Sequence, residues 1–227
     1  MHFRGLLFLI AMAVPAAPSA EGRIPDKALC SVCALKGGET ELEKVRARSE
    51  HDGKAYFFCS RNCKKEFDAD PIAFLPSVFP RPAPAFVVET FEGADRTVAD
   101  LKGKVALLDF WATWCNPCLE TMPRLQRLYS TYSGKGFDVW GVSIDEDKDR
   151  FDRIRKVVYE LGISYPVFVD AKPMPAWYRF KVKAIPAMFL LDRDNQIVAQ
   201  WTGKINFEDV EKEVSLRLDK TTEARVE

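Results

Sequence analysis

Residues 105–111, VALLDFW, are apolar almost without interruption, and four residues later the chain reads CNPC, with Cys115 and Cys118 at its ends. A continuous apolar run of this length suits a central strand buried on both faces. From Cys115 to about Tyr132 the spacing becomes helical, with Leu119, Met122, Leu125 and Leu128 on one face and Gly134 as a stop. The CxxC therefore falls at a strand-to-helix seam. There the Cys115 sulfur lies near unpaired backbone N–H groups and the positive end of the helix dipole, and both favour thiolate. Cys118, one turn further in, is more enclosed and keeps its proton until a mixed disulfide forms beside it. One attacking and one resolving sulfur are the minimum for disulfide exchange. The alternatives for the pair are half a zinc site or an inert disulfide. Zinc usually takes four ligands, and neither histidine, His2 or His51, lies in this part of the chain.

Apolar runs and helical patterns alternate around that seam. Strands are expected at Phe86–Thr90, Phe137–Ile144 and Val167–Asp170, with a turn marked by Gly93 and Asp95. Met188–Asp192 and Ile197–Trp201, joined through DRDNQ, read as an antiparallel hairpin; helices are expected at Asp149–Leu161 and Phe207–Leu218. The pattern implies an α/β fold with strands of mixed direction. Ahead of it, Pro76, Pro80, Pro82 and Pro84 make a semi-rigid linker or the lead into a first strand, so a domain boundary is expected near Pro80. The division is then 25–75, a cysteine-bearing domain; 76–84, the linker; 85–220, the α/β domain; and 221–227, a tail.

The N-terminus, MHFRGLLFLIAMAVPAAPSAEG, has a basic start at Arg4, an apolar stretch from Leu6 to Val14 and small residues after it. That is the pattern of a secretory signal peptide over 1–20, cut among Ala16, Ser19 and Ala20. Its apolar stretch is too short to span a bilayer, and no cysteine near the cut offers a lipid anchor. A periplasmic protein without stable membrane insertion is expected, in an oxidising compartment where unpaired thiols are at risk. The formal net charge is zero and no basic block occurs, which disfavours nucleic acid as a partner.

FWATWCNPC resembles the active site of the thioredoxin superfamily, and VALLDFWATWC is similar to its TlpA/ResA branch of secreted thiol–disulfide oxidoreductases. Three further matches support the resemblance. Pro123 stands where the family has a kinking helix proline, GVSID at 141–145 is similar to the branch's second core strand, and Ile185-Pro186 ahead of MFLLD matches the cis-proline loop. A cis bond at Pro186 would hold backbone beside the sulfurs. The segment through YPVFVD resembles the branch's inserted βα unit, and the resemblance spans roughly Pro82 to Leu218. It implies a thioredoxin-like fold, a redox-active disulfide Cys115–Cys118 and no organic cofactor. Asp109 lies six residues before Cys115, where thioredoxins carry a buried acid. Such a carboxyl has a raised pKa and can relay a proton to or from the resolving thiol; the bland alternative is a hydrogen bond within the strand. Trp111 and Trp114 could cover the disulfide, with Trp111 equally suited to the core.

The remaining cysteines, Cys30, Cys33, Cys59 and Cys63, offer four soft ligands from what read as two hairpin-like turns. Such a set suits structural zinc, with copper(I) as the alternative. YFFCSRNCKKEFDADPIAFL and the CSVC before it resemble the TRASH/YHS group of small metal-binding domains, in zinc-knuckle-like form, with Gly53 turning the hairpin that delivers Cys59. The charged run KGGETELEKVRARSEHDG reads as a solvated face, and His51 as a bystander rather than a ligand. Two structural disulfides are the competing reading for a secreted chain.

The combination points to a periplasmic reductase of client protein disulfides, recharged by a membrane electron-donor thiol–disulfide protein and monomeric. The resemblance implies clients in cytochrome c maturation or copper-centre assembly. A disulfide oxidase or isomerase is the enzymatic alternative. From another class comes a metallochaperone or metal sensor, in which the thioredoxin-like domain keeps the four metal-ligand cysteines reduced.

Overall fold

The computed structural model describes residues 24–37, 41–75, 77–170 and 173–223. The signal peptide expected over 1–20 and the last four residues of the tail lie outside the described residues.

The N-terminal part runs β1 (Lys27–Ala28), α1 (Ser31–Gly37), β2 (Glu43–Lys44), β3 (Ala47–His51), β4 (Lys54–Phe58) and α2 (Arg61–Ala69), then a 3-10 turn at Pro71–Phe74. Strands β3 and β4 pair antiparallel through Asp52-Gly53, both with positive φ, as a two-residue hairpin turn of this hand requires. Part of the charged run is thus built into strand, with Ser49 buried. The core here is small: Cys30, Val32, Phe58, Phe67 and Phe74.

The larger part runs β5 (Arg81–Pro82), β6 (Val87–Glu89), β7 (Asp95–Thr97), β8 (Val105–Trp111), α3 (Asn116–Tyr132), β9 (Phe137–Ser143), α4 (Arg150–Glu160), β10 (Val167–Asp170), α5 (Ala176–Arg179), β11 (Ala187–Leu191), β12 (Gln196–Thr202) and α6 (Phe207–Glu223). The strands form one mixed sheet in the order β5-β12-β11-β8-β9-β10-β6-β7. Strands β8, β9 and β10 are parallel, and the others join antiparallel. This is the expected α/β, thioredoxin-like arrangement. All seven residues of β8 are buried, as are all seven of β9, which is why both read as near-continuous apolar runs.

Because side chains alternate across a strand, β8 feeds two cores. Val105, Leu107 and Trp111 face a layer with Met122, Leu125 and Leu128 of α3 and Val210 and Val214 of α6. Ala106, Leu108 and Phe110 face the other, with Phe180 and Phe189.

Several boundaries differ from the sequence pattern. Helix α3 begins at Asn116, one residue later than expected, because Cys115 serves as its N-cap. It ends at Tyr132 and passes through a 3-10 turn containing Gly134; the chain reverses at Gly136, whose φ is +82°. The first strand is shorter than Phe86–Thr90, and α6 runs past Leu218 to Glu223. Strands β5 and β7 and helix α5 had no periodic signature.

Candidate active site and metal centre

Cys115 and Cys118 are joined by a disulfide at the start of α3. The Cys115 sulfur accepts the backbone N–H of Cys118 at 3.3 Å, and Pro117 occupies a first-turn position whose missing N–H costs nothing. Cys115 is 5% exposed and Cys118 fully buried. Pro123 lies inside α3, and the Ile185–Pro186 bond is cis. Pro117 and Pro186 line one cavity at this end of the sheet.

The loop before Cys115 is fastened from a distance. Asp145, just past β9, accepts the Thr113 backbone N–H at 2.9 Å and the Thr113 hydroxyl at 2.6 Å. The Ser143 hydroxyl donates to the same carboxylate at 2.7 Å, and Arg153 of α4 lies 3.7 Å away. A backbone bond from Ile144 to the Trp111 carbonyl closes the same corner. Neither Thr113 nor Asp145 stood out in the sequence as a site residue, although GVSID contains the acid.

Asp109 is completely buried in β8 on the face shared with Trp111, the layer that holds both cysteines and Met122. Its register partners are Gly141 and Met188. Neither carboxylate oxygen has a hydrogen-bond partner among the described residues, so the bland alternative of a bond within the strand is not what the fold shows. Burial lifts its pKa to about 7. The nearby Tyr165 is held neutral, its pKa raised well above the ordinary value by burial and then by Asp109's charge. Gly141 makes this packing feasible, since a Cβ there would meet the Tyr165 ring at 3.0 Å and Trp111 Nε1 at 3.3 Å. Trp111 is a core residue rather than a cover, whereas Trp114 is 63% exposed beside Cys115.

The other four cysteines converge, with their sulfur atoms all within 4.8 Å of one another. The expected hairpin, turned at Gly53, does lead into Cys59, whereas no hairpin among the described residues delivers Cys30 and Cys33, and the second cysteine of each pair is carried by a helix. Cys30 immediately precedes α1 and Cys33 lies in its first turn; Cys59 follows β4 and Cys63 lies in the first turn of α2, whose N-cap Ser60 accepts the Cys63 N–H. Cys33 stands 3.4 Å from Cys59 and 3.8 Å from Cys63, and Cys59 stands 3.7 Å from Cys63. Four sulfurs at about 2.3 Å from a central ion would be separated by roughly 3.8 Å, so the donor set fits a tetrahedral soft-metal site. All four are free thiols, without the disulfides of the competing reading. Burial raises the Cys30 thiol, but the backbone N–H groups of Cys59 and Cys33 together with the thiols of the same two residues outweigh it, and the net shift is downward. Burial pushes Cys59 up to about 12 and Cys33 higher still. Cys30 as thiolate adds to the upward push on Cys33 and Cys59. His51 stays outside it, 3.5 Å from Asp52 and edge-on to Phe67.

The AhpC/TSA family matches residues 80–200, and the YHS domain matches residues 40–78, which include Cys59 and Cys63 and follow Cys30 and Cys33. The thiol-disulfide oxidoreductase ResA of Bacillus anthracis is 36% identical over 129 residues, 57% of this chain and 72% of that protein. The ResA of Geobacillus kaustophilus (strain HTA426) is 30% identical over 130 residues, 57% of this chain and 72% of that protein. Among solved structures, a thiol:disulfide interchange protein of the thioredoxin family from Chlorobium tepidum TLS superposes with a TM-score of 0.53 at 28% identity, over 63% of this chain and 99% of that one. Among the described residues no helix is long and apolar enough to cross a membrane.

Proposed function

Since this chain belongs to the AhpC/TSA family, as a thiol-disulfide oxidoreductase of the ResA type, we propose that it is a periplasmic reductase in which Cys115 attacks client disulfides and Cys118 resolves them. The observation that carries this reading is the Cys115 sulfur accepting a backbone N–H at the start of a 17-residue helix, where negative charge is favoured.

In the reduced protein the Cys115 thiolate attacks one sulfur of a client disulfide. The client's other sulfur leaves as thiolate and takes a proton. Asp109 as carboxylate then accepts the Cys118 proton, and the Cys118 sulfur attacks Cys115. The second client sulfur is released, the client gains two electrons, and the chain is left with its Cys115–Cys118 disulfide. Because burial holds Asp109 protonated up to about pH 7, the resolving step speeds up through that range. Pro186 lines the client side of the site. A membrane thiol–disulfide protein returns the electrons, and the clients are metal-site cysteine pairs of the cytochrome c or copper-centre kind. The chain acts as a monomer.

Cys30, Cys33, Cys59 and Cys63 hold a structural zinc ion in this reading, supported by sulfur spacings of 3.4–3.8 Å; copper(I) suits the same donors. A second reading is favoured by Lys36, which lies three residues past Cys33 and lines a cavity with Pro117 and Pro186. In it the CxxC guards the four thiols of its own chain. Cys115→Ser would then leave those thiols oxidised in cells, and alkylation finding them still reduced would rule that reading out.

The test of the main reading is insulin reduction by wild type and Cys115→Ser, with metal analysis of both. Activity in the wild type alone, with one zinc in each, supports it; no wild-type activity together with tightly bound copper would overturn it in favour of a metallochaperone.

A further inference from the structure

A cavity of about 490 Å³ opens against the redox centre, and its walls come from both parts of the chain. On one side stand Pro117, Glu120 and Arg124 of α3 with Pro186; Lys204, after β12, continues the wall, and Lys36 of α1 stands with them. Lys36 is in the last turn of the helix whose first turn carries Cys33, and Glu66 of α2 holds it there. A second tie fixes the same relation. Asp70, after α2, bridges to Lys183 at 3.2 Å and Lys181 at 3.6 Å, in the segment that leads into Ile185–Pro186. The four-cysteine part is therefore fastened to the proline turn at one point and reaches into the cavity beside it at another.

The walls carry a bias of charge. Three cations, Lys36, Arg124 and Lys204, meet one carboxylate, Glu120, in a chain whose formal net charge is zero. Glu66 compensates Lys36 from outside the lining. Arg124 lies over the Phe207 ring, with Glu208 and Glu211 in a neighbouring recess, yet among the described residues neither Arg124 nor Lys204 makes an ion pair. Pro117, two residues past Cys115, belongs to these walls.

We propose that this cavity docks the client polypeptide and selects acidic residues flanking its disulfide, with the four-cysteine domain supplying one wall as a specificity element. This rests on the oxidoreductase reading above and adds the class of client to it. Complementary charge at such a rim acts mainly on encounter and on discrimination between partners.

Two synthetic peptides with the same intramolecular disulfide, one flanked by aspartates and one by lysines, test the proposal with the full chain. The expected kcat/KM ratio favours the acidic peptide by about tenfold, and about 0.5 M salt narrows it. Lys36→Glu and Lys204→Glu each reduce that ratio by about fivefold, and the ratio within one variant cancels any general loss of active protein. Equal rates for both peptides, or a ratio moved by Lys204→Glu and left untouched by Lys36→Glu, would overturn the two-walled site. Reaction of the reduced chain with dithiodipyridine, a neutral disulfide, taken as the part that Cys115→Ser loses so that Cys30, Cys33, Cys59 and Cys63 do not count, separates the two claims. Failure there sinks the oxidoreductase reading itself, while reaction there without peptide preference sinks only the docking site.

Discussion

The two sulfur sites of this chain are held in opposite ways. Cys115 and Cys118 sit in one of the two cores built on the fully buried strands β8 and β9, on a framework that most of its residues hold without them. Cys30, Cys33, Cys59 and Cys63 sit over a core of five residues, one of which is Cys30 itself. In the first region the fold positions the sulfur, and sulfur chemistry is free to change. In the second, on the proposed metal reading, the sulfurs would position the fold, and losing the ion would remove the structure. A chain that carries both can run redox chemistry at one end only if the other end's thiols are kept engaged.

On the proposed zinc reading, removing the ion is the largest blow the comparison predicts. Structural zinc contributes about 10–16 kcal/mol to the folding of small finger peptides, at least comparable with what burial of five core side chains supplies at about 1.5–3 kcal/mol each. Chelation, or Cys59→Ser, is therefore expected to abolish amide-exchange protection in α1, α2 and the β3–β4 hairpin, while β8, β9 and β11 keep theirs. Unchanged protection in α2 after chelation would show that the small core stands alone and that the contrast is false.

The same contrast explains what the sequence discloses. The redox site is contiguous, and its strand run, helix spacing and CxxC report on one another within residues 105–132. The family's acid at Asp109 could be placed by its offset from Cys115. The four-cysteine set was legible as a set, since Cys-x2-Cys and Cys-x3-Cys spacings bring sulfurs together on turns or on helix starts alike. That indifference is why the spacing leaves the helices α1 and α2 unannounced, while Gly53 does mark the hairpin that leads into Cys59. Trp111 and Trp114 are both large aromatics near Cys115, and only the sheet decides that Trp111 is buried among β8's neighbours. Strand β5 hid in a proline-rich stretch because it lies at the sheet's edge, where Pro82 need not donate on its outer side. Polar β7, at the other edge, has no apolar alternation to reveal it. Asp145 and Thr113 are joined across 32 residues, a pairing no local pattern carries.

Asp109 provides the next largest effect, and it marks the stability the redox domain gives up for its chemistry. Its folded pKa is about 7 because it is buried, against an ordinary value of 3.8. Below about pH 4 both the folded and unfolded chain hold the proton. From there to about pH 7 the unfolded chain has lost it and the folded chain keeps it, so stability falls as pH rises, by about 4 kcal/mol in all. Asp109→Asn cannot ionise. It is expected to flatten this slope and to unfold later than wild type in urea at about pH 8, with little difference at about pH 4. The same variant slows the resolving step. A wild-type urea midpoint that does not change across this range would mean that the carboxyl finds a partner or water on ionising, and its role as proton acceptor would have to be reassigned.

The smallest effect concerns how the framework grips the sulfur. Asp145 has a fully buried side chain that takes two hydrogen bonds from Thr113 and one from Ser143, while Arg153 stands partly exposed beside it. Replacing it by alanine leaves the Thr113 N–H and two hydroxyls without an acceptor, at a cost of about 2–3 kcal/mol. Thr113→Val keeps the backbone bond and loses only the hydroxyl's, about 1 kcal/mol. If the loop's fixed position matters to the reaction, insulin reduction should fall in the same order, about tenfold for Asp145→Ala, because a small displacement of an attacking group is costly. Loss of stability without loss of turnover would show that Asp145 braces the β9 corner and that Cys115 is held by α3 alone. The graded pair separates these outcomes, since each variant cuts a different part of a single tie between the far end of β9 and the loop that carries the sulfur.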